Sequence, residues 1–280
     1  MKHILLTGST GFIGRNITPI LREQYDVASP TRNELDLLEA DSVWRYLERR
    51  HFDAVIHLAN PTAHNPIDKR DELFELTLRV FTSLLHYSDL YGKMIYLGSG
   101  AEYGKHRALS LVREDEFGLE LPRDTYGLSR YIMSELACQK TNIINLRMFG
   151  CYGCGDFHTR LIPYVISCVS SNKTITLRQN TRFDYLYVKD ITEVLSYFIE
   201  NKPNYYAYNL CSGVPVFTGD IAGEVRLQMN SSIPMVFQSK DIGLDYIGDN
   251  SRLRKELQSW QPRVITDGIK EIIDYENRKV

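Results

Sequence analysis

The chain of 280 residues is predicted to be an α/β protein, with a doubly wound parallel sheet and a small mixed α/β lobe at its C-terminal end. Two observations predict this fold. Strand-like and helix-like patterns alternate through residues 1–150, and alternating βα units build a parallel sheet with helices on both faces. After residue 150 the alternation loosens without a clear linker. Residues 151–280 are therefore expected to pack on the first part and share a cleft with it, with some chain crossing between the two.

The elements follow from the period of the apolar residues. In the first part, strands are expected at 3–7, 25–29, 53–58, 93–98 and 142–147, and helices at 12–23, 40–50, 70–91 and 126–140. In the second part, strands are expected at 174–177, 205–211 and 233–237, and helices at 158–171, 190–200, 218–229, 250–257 and 266–275. The third strand, Val55-Ile56-His57-Leu58-Ala59, is almost continuously apolar, which is typical of a strand buried on both faces.

A glycine-rich turn follows the first strand. It reads Thr7-Gly8-Ser9-Thr10-Gly11-Phe12-Ile13-Gly14 and leads into an amphipathic helix. Such a turn brings backbone N–H groups close to a pyrophosphate, and the positive end of the helix dipole faces the ligand's charge. The expected ligand is a dinucleotide held by residues 8–14.

The tip of the second strand bears on which dinucleotide binds. An acidic residue there would hold the ribose 2′-hydroxyl of NAD. The sequence instead has Arg32, in Ser29-Pro30-Thr31-Arg32-Asn33. A guanidinium matches a 2′-phosphate, because it makes paired charge-assisted hydrogen bonds. This favours NADP, and NAD stays open because an ordinary surface arginine is the alternative explanation.

The Gly-x-x-Gly-x-x-Gly spacing, with Phe12-Ile13 before the last glycine, resembles the extended short-chain dehydrogenase/reductase family, whose members modify nucleotide sugars. The resemblance continues at Ser99, four residues before Tyr103-Gly104, and at Tyr126-Gly127-Leu128-Ser129-Arg130, where the family has Tyr-x-x-x-Lys. It implies a Rossmann-like fold and a catalytic set of Ser99, Tyr126 and Arg130. Ser99 would bond the reacting oxygen of the substrate, and Tyr126 would exchange a proton while hydride moves to or from the nicotinamide.

Position 130 departs from the family pattern, because it is arginine where the family has lysine. Residues four apart lie on one helix face, so the cation at 130 stands beside Tyr126 and favours its phenolate. Arginine keeps a permanent charge but is larger and less able to release a proton than lysine. It either substitutes adequately, works slowly, or marks a site without hydride chemistry. Retained activity is expected, because Ser99, Tyr126 and the glycine turn are all present.

The resemblance implies further contacts on both sides of the cleft. For the cofactor they are Asp36 and Leu37 near the adenine, and Leu58 and Ala59 near the pyrophosphate, besides Tyr126 and Arg130. For the substrate they are Ser99, Gly100, Arg182 and Asn209, with Arg178 and Arg252 as further candidates for its diphosphate. The motifs are specific in the first half of the chain and diffuse in the second.

The predicted function is NAD(P)-dependent nucleotide-sugar oxidoreduction, with reduction of a nucleotide-linked 4-keto-6-deoxyhexose for a surface polysaccharide as the preferred reaction. Arg32 motivates this choice, because net reduction needs an exchangeable reducing cofactor. One alternative is a nucleotide-sugar 4-epimerase with tightly bound NAD. The other is a catalytically impaired dinucleotide-binding protein, to which Arg130 points. A dehydratase is disfavoured, since Gly100 and Ala101 follow Ser99 and the nearest acid, Glu102, is expected to be solvated or to cap a helix.

Composition and charge limit the classes of partner that the protein is expected to bind. A net charge of −2 argues against nucleic acid, and no apolar run approaches the roughly 18 residues that span a bilayer. Five cysteines and no signal-peptide pattern suit a cytoplasmic protein. Cys151 and Cys154 form a C-x-x-C, but no second pair follows at metal-ligand spacing, so no metal is expected.

A homodimer is expected from the resemblance, through the helices near 70–91 and 126–140. The first of these helices carries an apolar face at helical spacing, made of Leu73, Leu76, Val80, Leu84 and Tyr87. That face fits either an interface or the core of the protein.

Overall fold

The computed structural model describes residues 1–61 and 70–278. The strands are β1 (His3–Thr7), β2 (Asp26–Ala28), β3 (Phe52–His57), β4 (Tyr91–Ser99), β5 (Leu109–Val112), β6 (Ile143–Met148), β7 (Gly150–Tyr152), β8 (Ile175–Leu177), β9 (Arg182–Tyr187), β10 (Ala207–Leu210), β11 (Pro215–Phe217), β12 (Met235–Phe237) and β13 (Tyr246–Gly248). The α-helices are α1 (Phe12–Arg22), α2 (Ala40–Glu48), α3 (Arg70–His86), α4 (Thr125–Ala137), α5 (Leu161–Ser170), α6 (Ile191–Glu200), α7 (Thr218–Gln228), α8 (Ser251–Glu256) and α9 (Ile265–Asn277).

The main sheet has six parallel strands in the order β2-β1-β3-β4-β6-β10. The chain leaves β1 for β2 on one side and returns to β3 on the other, so the strand order reverses at β1. Leu5 of β1 pairs with Ala28 on one side and with Val55 on the other. Ligands of such sheets bind beyond the carboxyl ends of the strands at the reversal. The predicted doubly wound sheet is confirmed.

Helices cover both faces of this sheet. On one face α1 packs against α6, and the shared core includes Ile17, Leu21 and Phe198. On the other face lie α2, α3 and α4, whose core includes Val80 and Leu84. The apolar face predicted for α3 therefore contributes to the core of the protein.

Helix α3 is shorter than predicted. It ends at His86, and a short 3₁₀ helix, Ser88–Leu90, leads into β4. Tyr91 belongs to the sheet, where it pairs with Phe52, and its hydroxyl donates a hydrogen bond to the carbonyl of Leu84. The sheet thus takes Tyr91, which the sequence pattern had given to the helix.

The second part of the chain builds a separate mixed sheet. Its order is β11-β9-β13-β5, with β7 paired to β9, and β8 pairs with β12 next to it. β5 comes from before residue 150, whereas β10, from after it, completes the main sheet. The chain crosses between the two parts in both directions, and the division at residue 150 stays a prediction.

No helix within residues 1–61 and 70–278 has both the length and the apolar character needed to cross a membrane.

Candidate active site

A cleft of about 910 Å³ opens beyond the carboxyl ends of β1, β3 and β4. Its walls come from the glycine turn, the segment after β2, the start of α4 and the loop after β7. It brings together every predicted cofactor residue, namely residues 8–14, Arg32, Asp36, Leu37, Leu58, Ala59, Tyr126 and Arg130, and it also includes Ser99. The predicted cofactor residues thus line one continuous cleft.

The three glycines of the turn differ in how closely a side chain at each position would approach its neighbours. Gly8 has a positive φ of +80°, and a Cβ there would lie 2.5 Å from the backbone nitrogen of Ala59. A Cβ on Gly14 would lie 2.3 Å from the carbonyl oxygen of Gly8. Both glycines are required by the close approach of strand and helix. Gly11 is exposed and lines the cleft, and a Cβ there would make a tight but less severe contact, 3.3 Å from the carbonyl oxygen of Gly8.

The N-terminus of α1 faces the cleft. Gly11 caps the helix without a side-chain hydrogen bond, and the first turn holds no acidic residue. The first N–H groups of a helix have no partner inside it and carry partial positive charge. The turn therefore fits a pyrophosphate, as the sequence predicts.

At the far end of the cleft, Arg32 is exposed and available. Its side chain is 74% accessible, and its Nε lies 3.4 Å from Asp36 in a solvent-facing pair of the kind that contributes little. Asp36 also accepts a hydrogen bond from the backbone nitrogen of Leu38, which shapes the loop, and Leu37 supplies a buried apolar wall. This end suits an adenosine whose ribose approaches a guanidinium.

At the opposite end, Ser99 and Tyr126 meet. Ser99 ends β4, is buried, and its Oγ accepts a hydrogen bond from the backbone nitrogen of Ala101 at 3.1 Å. Tyr126 stands in the first turn of α4, which Asp124 caps by accepting a hydrogen bond from the N–H of Gly127. The Tyr126 side chain is exposed to the cleft, and it is free to meet a ligand.

Arg130 lies one helical turn behind Tyr126 and is buried. The centre of its guanidinium is 5.3 Å from the centre of the Tyr126 ring, and Nη1 is 3.5 Å from the carbonyl oxygen of Leu97. Its Nε is buried without a hydrogen-bond partner among the described residues. A buried donor left unpaired is costly, and here it lines the cleft. A ligand that brings an acceptor to this end would satisfy it.

Lys105 is a second cation beside Tyr126, and no motif in the sequence indicated it. Its Nζ lies 5.4 Å from the centre of the Tyr126 ring and 3.3 Å from the carboxylate of Asp124. It follows Tyr103-Gly104 directly, and only the folded loop brings it to α4. Two positive charges therefore flank the tyrosine.

His57 forms the floor between β1 and β4. It is buried, and its Nδ1 is 2.8 Å from the hydroxyl of Thr7. Burial, with a smaller contribution from the charge of Arg130, lowers the pKa of His57 to about 3. The ring is neutral at physiological pH, so His57 adds no positive charge to those of Arg130 and Lys105.

Glu102 was expected either to be solvated or to cap a helix. It caps the short 3₁₀ helix Gly100–Tyr103 and is not solvated. It accepts a hydrogen bond from the N–H of Ser99 at 2.9 Å and is fully buried. Its other oxygen pairs with Nε of Arg147 at 2.7 Å, with both side chains inaccessible to solvent. A carboxylate held in this way supports Ser99 from behind and is not available as an acid in the cleft.

Two predicted substrate residues do not line the cleft. Gly100 leaves room for a neighbouring ring, since a Cβ there would lie 2.7 Å from Phe149. Asn209 is fully buried and bonded on every side. It accepts from the Tyr103 hydroxyl and donates to the carbonyls of Val112 and Asp249. Packing explains the glycine at position 100 and internal hydrogen bonds hold Asn209, while the substrate contacts expected of both residues stay a prediction.

The three arginines predicted for the substrate diphosphate also lie outside the cleft lining. Arg182 makes a two-pronged pair with the carboxylate of Asp245. Arg252 pairs with Glu114, and Arg178 is exposed directly after β8. Contact of these three arginines with a substrate diphosphate stays a prediction.

Two further arginines line the cleft. Arg15, in α1, and Arg160, just before α5, both line it and are exposed. Nη2 of Arg15 is 3.4 Å from the carbonyl of Gly155, which brings the loop after β7 towards the glycine turn. No motif marked these two residues, although positive charge beside a phosphate-binding turn is a signal that a charge count along the loop could have found.

The C-x-x-C does not form a disulfide. Cys151 lines the cleft as a free thiol, and burial raises its pKa. Within the described ranges, no group of three or more His, Cys, Asp or Glu side chains is placed to hold a metal.

A dinucleotide turn at one end of a cleft and a serine–tyrosine pair with a cation at the other define a class of protein, the NAD(P)-dependent enzymes built on a Rossmann-like sheet. The family model described as "NAD dependent epimerase/dehydratase family" matches residues 4–211. The chain belongs to this family, which confirms the predicted family, the enzyme class and the dinucleotide cofactor.

Relatives and solved structures agree with this placement. CDP-abequose synthase of Yersinia pseudotuberculosis is 26% identical over 224 residues, which cover 73% of this chain and 75% of the relative. GDP-6-deoxy-D-talose 4-dehydrogenase of Aggregatibacter actinomycetemcomitans is 28% identical over 228 residues, 75% of this chain and 74% of the relative. The solved structure of MlghC, GDP-mannoheptose C4 reductase from Campylobacter jejuni with NADP bound, superposes with a TM-score of 0.84 at 18% identity, covering 99% of this chain and 98% of the other. At that identity the likeness shows the fold alone.

Proposed function

We propose that this protein is an NADPH-dependent reductase of a nucleotide-linked 4-keto-6-deoxyhexose, working in the synthesis of a surface polysaccharide. One observation carries the proposal. Ser99, Tyr126 and Arg130 converge at one end of a cleft whose other end presents an exposed Arg32. The first group fits a carbonyl that is being reduced, and Arg32 fits the 2′-phosphate that distinguishes NADPH from NADH.

The residues divide the work of reduction. When bound, NADPH supplies the hydride that the carbonyl carbon accepts. Tyr126 donates its phenolic proton to the carbonyl oxygen, which becomes the product hydroxyl, and the tyrosine regains a proton from solvent. Ser99 donates a hydrogen bond to the same oxygen and holds it in place. Arg130 and Lys105 stabilise the negative charge that remains on Tyr126.

The substrate class is supported by the names of the relatives. One is a dehydrogenase acting at carbon 4 of a GDP-linked 6-deoxy sugar, and another is a synthase of a CDP-linked sugar. The bases differ between the two, so the proposal extends to a nucleotide-linked hexose and leaves the base open. A dehydratase is not supported, because the Glu102 carboxylate is buried against Arg147.

The test is NADPH oxidation by the purified protein against CDP-, GDP-, UDP- and dTDP-linked 4-keto-6-deoxyhexoses, with NADH run in parallel. Tyr126→Phe is the matched control, since it keeps the ring beside Arg130 and removes only the proton donor. We expect oxidation with at least one sugar, a preference for NADPH, and a loss of about 10³-fold in kcat in the control.

Other outcomes would contradict the reductase. Tightly held NAD that co-purifies, together with interconversion of two nucleotide sugars, would establish a 4-epimerase. Tight NADPH binding without turnover of any sugar, unchanged in Arg130→Lys, would establish a protein that binds the dinucleotide without reducing a sugar.

We further propose that the protein acts in the cytoplasm as a homodimer through α3 and α4. These helices lie side by side and carry partly exposed apolar side chains, among them Phe74, Leu78 and Ile132. The chain has a mass of 32.4 kDa, and light scattering should report twice that mass. Ile132→Glu should shift the equilibrium towards the monomer. A monomeric wild-type protein at micromolar concentration would overturn this assembly.

A further inference from the structure

A third hydroxyl stands at the reaction end of the cleft. Tyr246 begins β13 in the second sheet, and its hydroxyl oxygen lies 3.4 Å from Oγ of Ser99, which ends β4 in the main sheet. The two residues are 147 positions apart in the sequence. The contact therefore joins the dinucleotide-binding sheet to the second sheet at the reacting end of the site.

The Tyr246 ring is held from several sides. Its centre lies 5.1 Å from the ring of Phe149 and 5.4 Å from the ring of Phe183. Its backbone pairs with Leu109 of β5 and with β9. The preceding residue, Asp245, accepts hydrogen bonds from the side chains of Ser110 and Arg182. These contacts hold the hydroxyl of Tyr246 in a fixed position beside Ser99.

The hydrogen bonds of Ser99 then decide where its proton points. A serine hydroxyl has one proton to donate and two lone pairs that accept. One lone pair accepts the N–H of Ala101, which can only donate. If the second accepts the O–H of Tyr246, both lone pairs are filled and the serine proton is free for the cleft. If the serine instead donates to Tyr246, its proton is lost to the substrate.

We propose that Tyr246 is a positioning residue, whose O–H donates to Oγ of Ser99 and leaves the serine proton directed at the reacting oxygen of the substrate. The inference rests on the proposed function in one respect, namely that Ser99 bonds that oxygen. It gives the second sheet a part in the reaction, because β13 sets the hydrogen-bond direction at the end of β4.

The surroundings of Tyr246 keep it a donor. Burial is the main reason that its pKa is raised, and the nearby Tyr126 and Glu102 act in the same direction, against the hydrogen bond with Ser99. The phenol of Tyr246 therefore stays protonated at neutral pH. This matters because only a protonated hydroxyl can donate a hydrogen bond to Oγ of Ser99.

The first test is a double-mutant cycle on Tyr246 and Ser99. Tyr246→Phe keeps the ring between its aromatic neighbours and removes only the hydroxyl. We expect kcat for the ketose to fall about tenfold, with the KM for NADPH and the melting temperature unchanged. In a Ser99→Ala background the same change should have no further effect, since no serine proton remains to be directed.

The control is Tyr185→Phe, a tyrosine of β9 whose ring also contacts Phe183. It should leave kcat at the wild-type value. A Tyr246→Phe enzyme with wild-type kcat would overturn the inference. So would an equal loss in the Ser99→Ala background, because a purely structural effect is additive.

A second measurement separates this inference from the proposed function. Neutron diffraction of the wild-type protein locates the hydroxyl deuterons without any substrate. We expect the Tyr246 deuteron to point at Oγ of Ser99, and a deuteron on Ser99 that points at Tyr246 would overturn the inference. If no sugar in the panel is reduced, the proposed function fails and the neutron result still decides the direction of the hydrogen bond.

Discussion

The two ends of the cleft are built in different ways. The adenosine end is a surface feature, where Arg32 is 74% exposed and its ion pair with Asp36 faces solvent. The reaction end rests on buried polar groups, since Glu102 holds the N–H of Ser99 and pairs with Arg147 out of contact with water. Recognition of a phosphate needs only an available charge, whereas proton transfer needs donors fixed in place. Substitutions should therefore have large effects at the reaction end and small ones at the adenosine end.

The largest effect is expected from Arg147→Met. The variant leaves the Glu102 carboxylate buried without its partner, and breaking a buried pair in this way costs about 3–5 kcal/mol of unfolding free energy. Chemical denaturation monitored by circular dichroism measures the loss. The matched control is Arg113→Met, which breaks an exposed pair with Asp115 and should change stability far less.

The double variant Glu102→Leu with Arg147→Met sharpens this prediction. Removing both charges ends the desolvation cost, so most of the stability should return, while kcat stays low because Ser99 has lost the acceptor of its N–H. An Arg147→Met protein as stable as the wild type would show that the reaction end is not held by this pair.

The next effect is a dependence of stability on pH that originates at His57. Its pKa is about 3 in the folded protein and 6.5 when unperturbed, with burial as the main cause. Between these values the unfolded chain binds a proton that the folded chain does not, so the free energy of unfolding falls as the pH falls below 6.5. At pH 5 the cost is about 2 kcal/mol.

His57→Gln should remove this dependence. Urea denaturation at pH 7.5 and pH 5 should show a smaller loss of stability on acidification in the variant than in the wild type, by about 2 kcal/mol. His51→Gln, a change at an exposed histidine, is the control and should keep the wild-type dependence. Identical pH profiles for wild type and His57→Gln would contradict a buried neutral ring.

Much of the fold was predictable because its signals are local. The strands of the main sheet and the helices between them were predicted within a few residues, since each is long enough to show its period. β5, β7, β9, β11 and β13 were missed, because their conformation depends on partners that are distant in the sequence. All of them except β9 also have only three or four residues, too few to show a period. The end of α3 was wrong for the same reason, because Tyr91 is fixed by pairing with Phe52.

In the candidate site too, contiguous motifs could be predicted from the sequence and contacts between distant residues could not. The glycine turn and the spacing from Tyr126 to Arg130 are contiguous motifs, and the cleft brings both together. The substrate contact of Asn209 stays a prediction, and its bond to Tyr103, about a hundred positions away, could not be predicted from a local motif. Lys105 and Tyr246 were missed because only the folded chain brings them to Tyr126 and Ser99.

Arg130→Lys tests whether the reaction end is adapted to its unusual cation. The guanidinium reaches both the Tyr126 ring and the carbonyl of Leu97. The compact ammonium of lysine cannot make the same pair of contacts. We expect kcat to fall about 30-fold, with a smaller change in the KM for NADPH. A rise in kcat would show instead that arginine impairs the site.

The smallest effect is expected at the adenosine end, from Arg32→Ala. Removing an exposed guanidinium forfeits charge-assisted hydrogen bonds to the 2′-phosphate, so kcat/KM for NADPH should fall about tenfold while that for NADH stays constant. The loss should shrink as KCl is added, because salt screens an exposed charge. Arg22→Ala is the control, since Arg22 bonds Ser29 outside the cleft and should leave both cofactors unaffected. Equal losses with NADPH and NADH would mean that Arg32 does not read the phosphate, and the preference for NADPH would then have to come from another cation of the cleft.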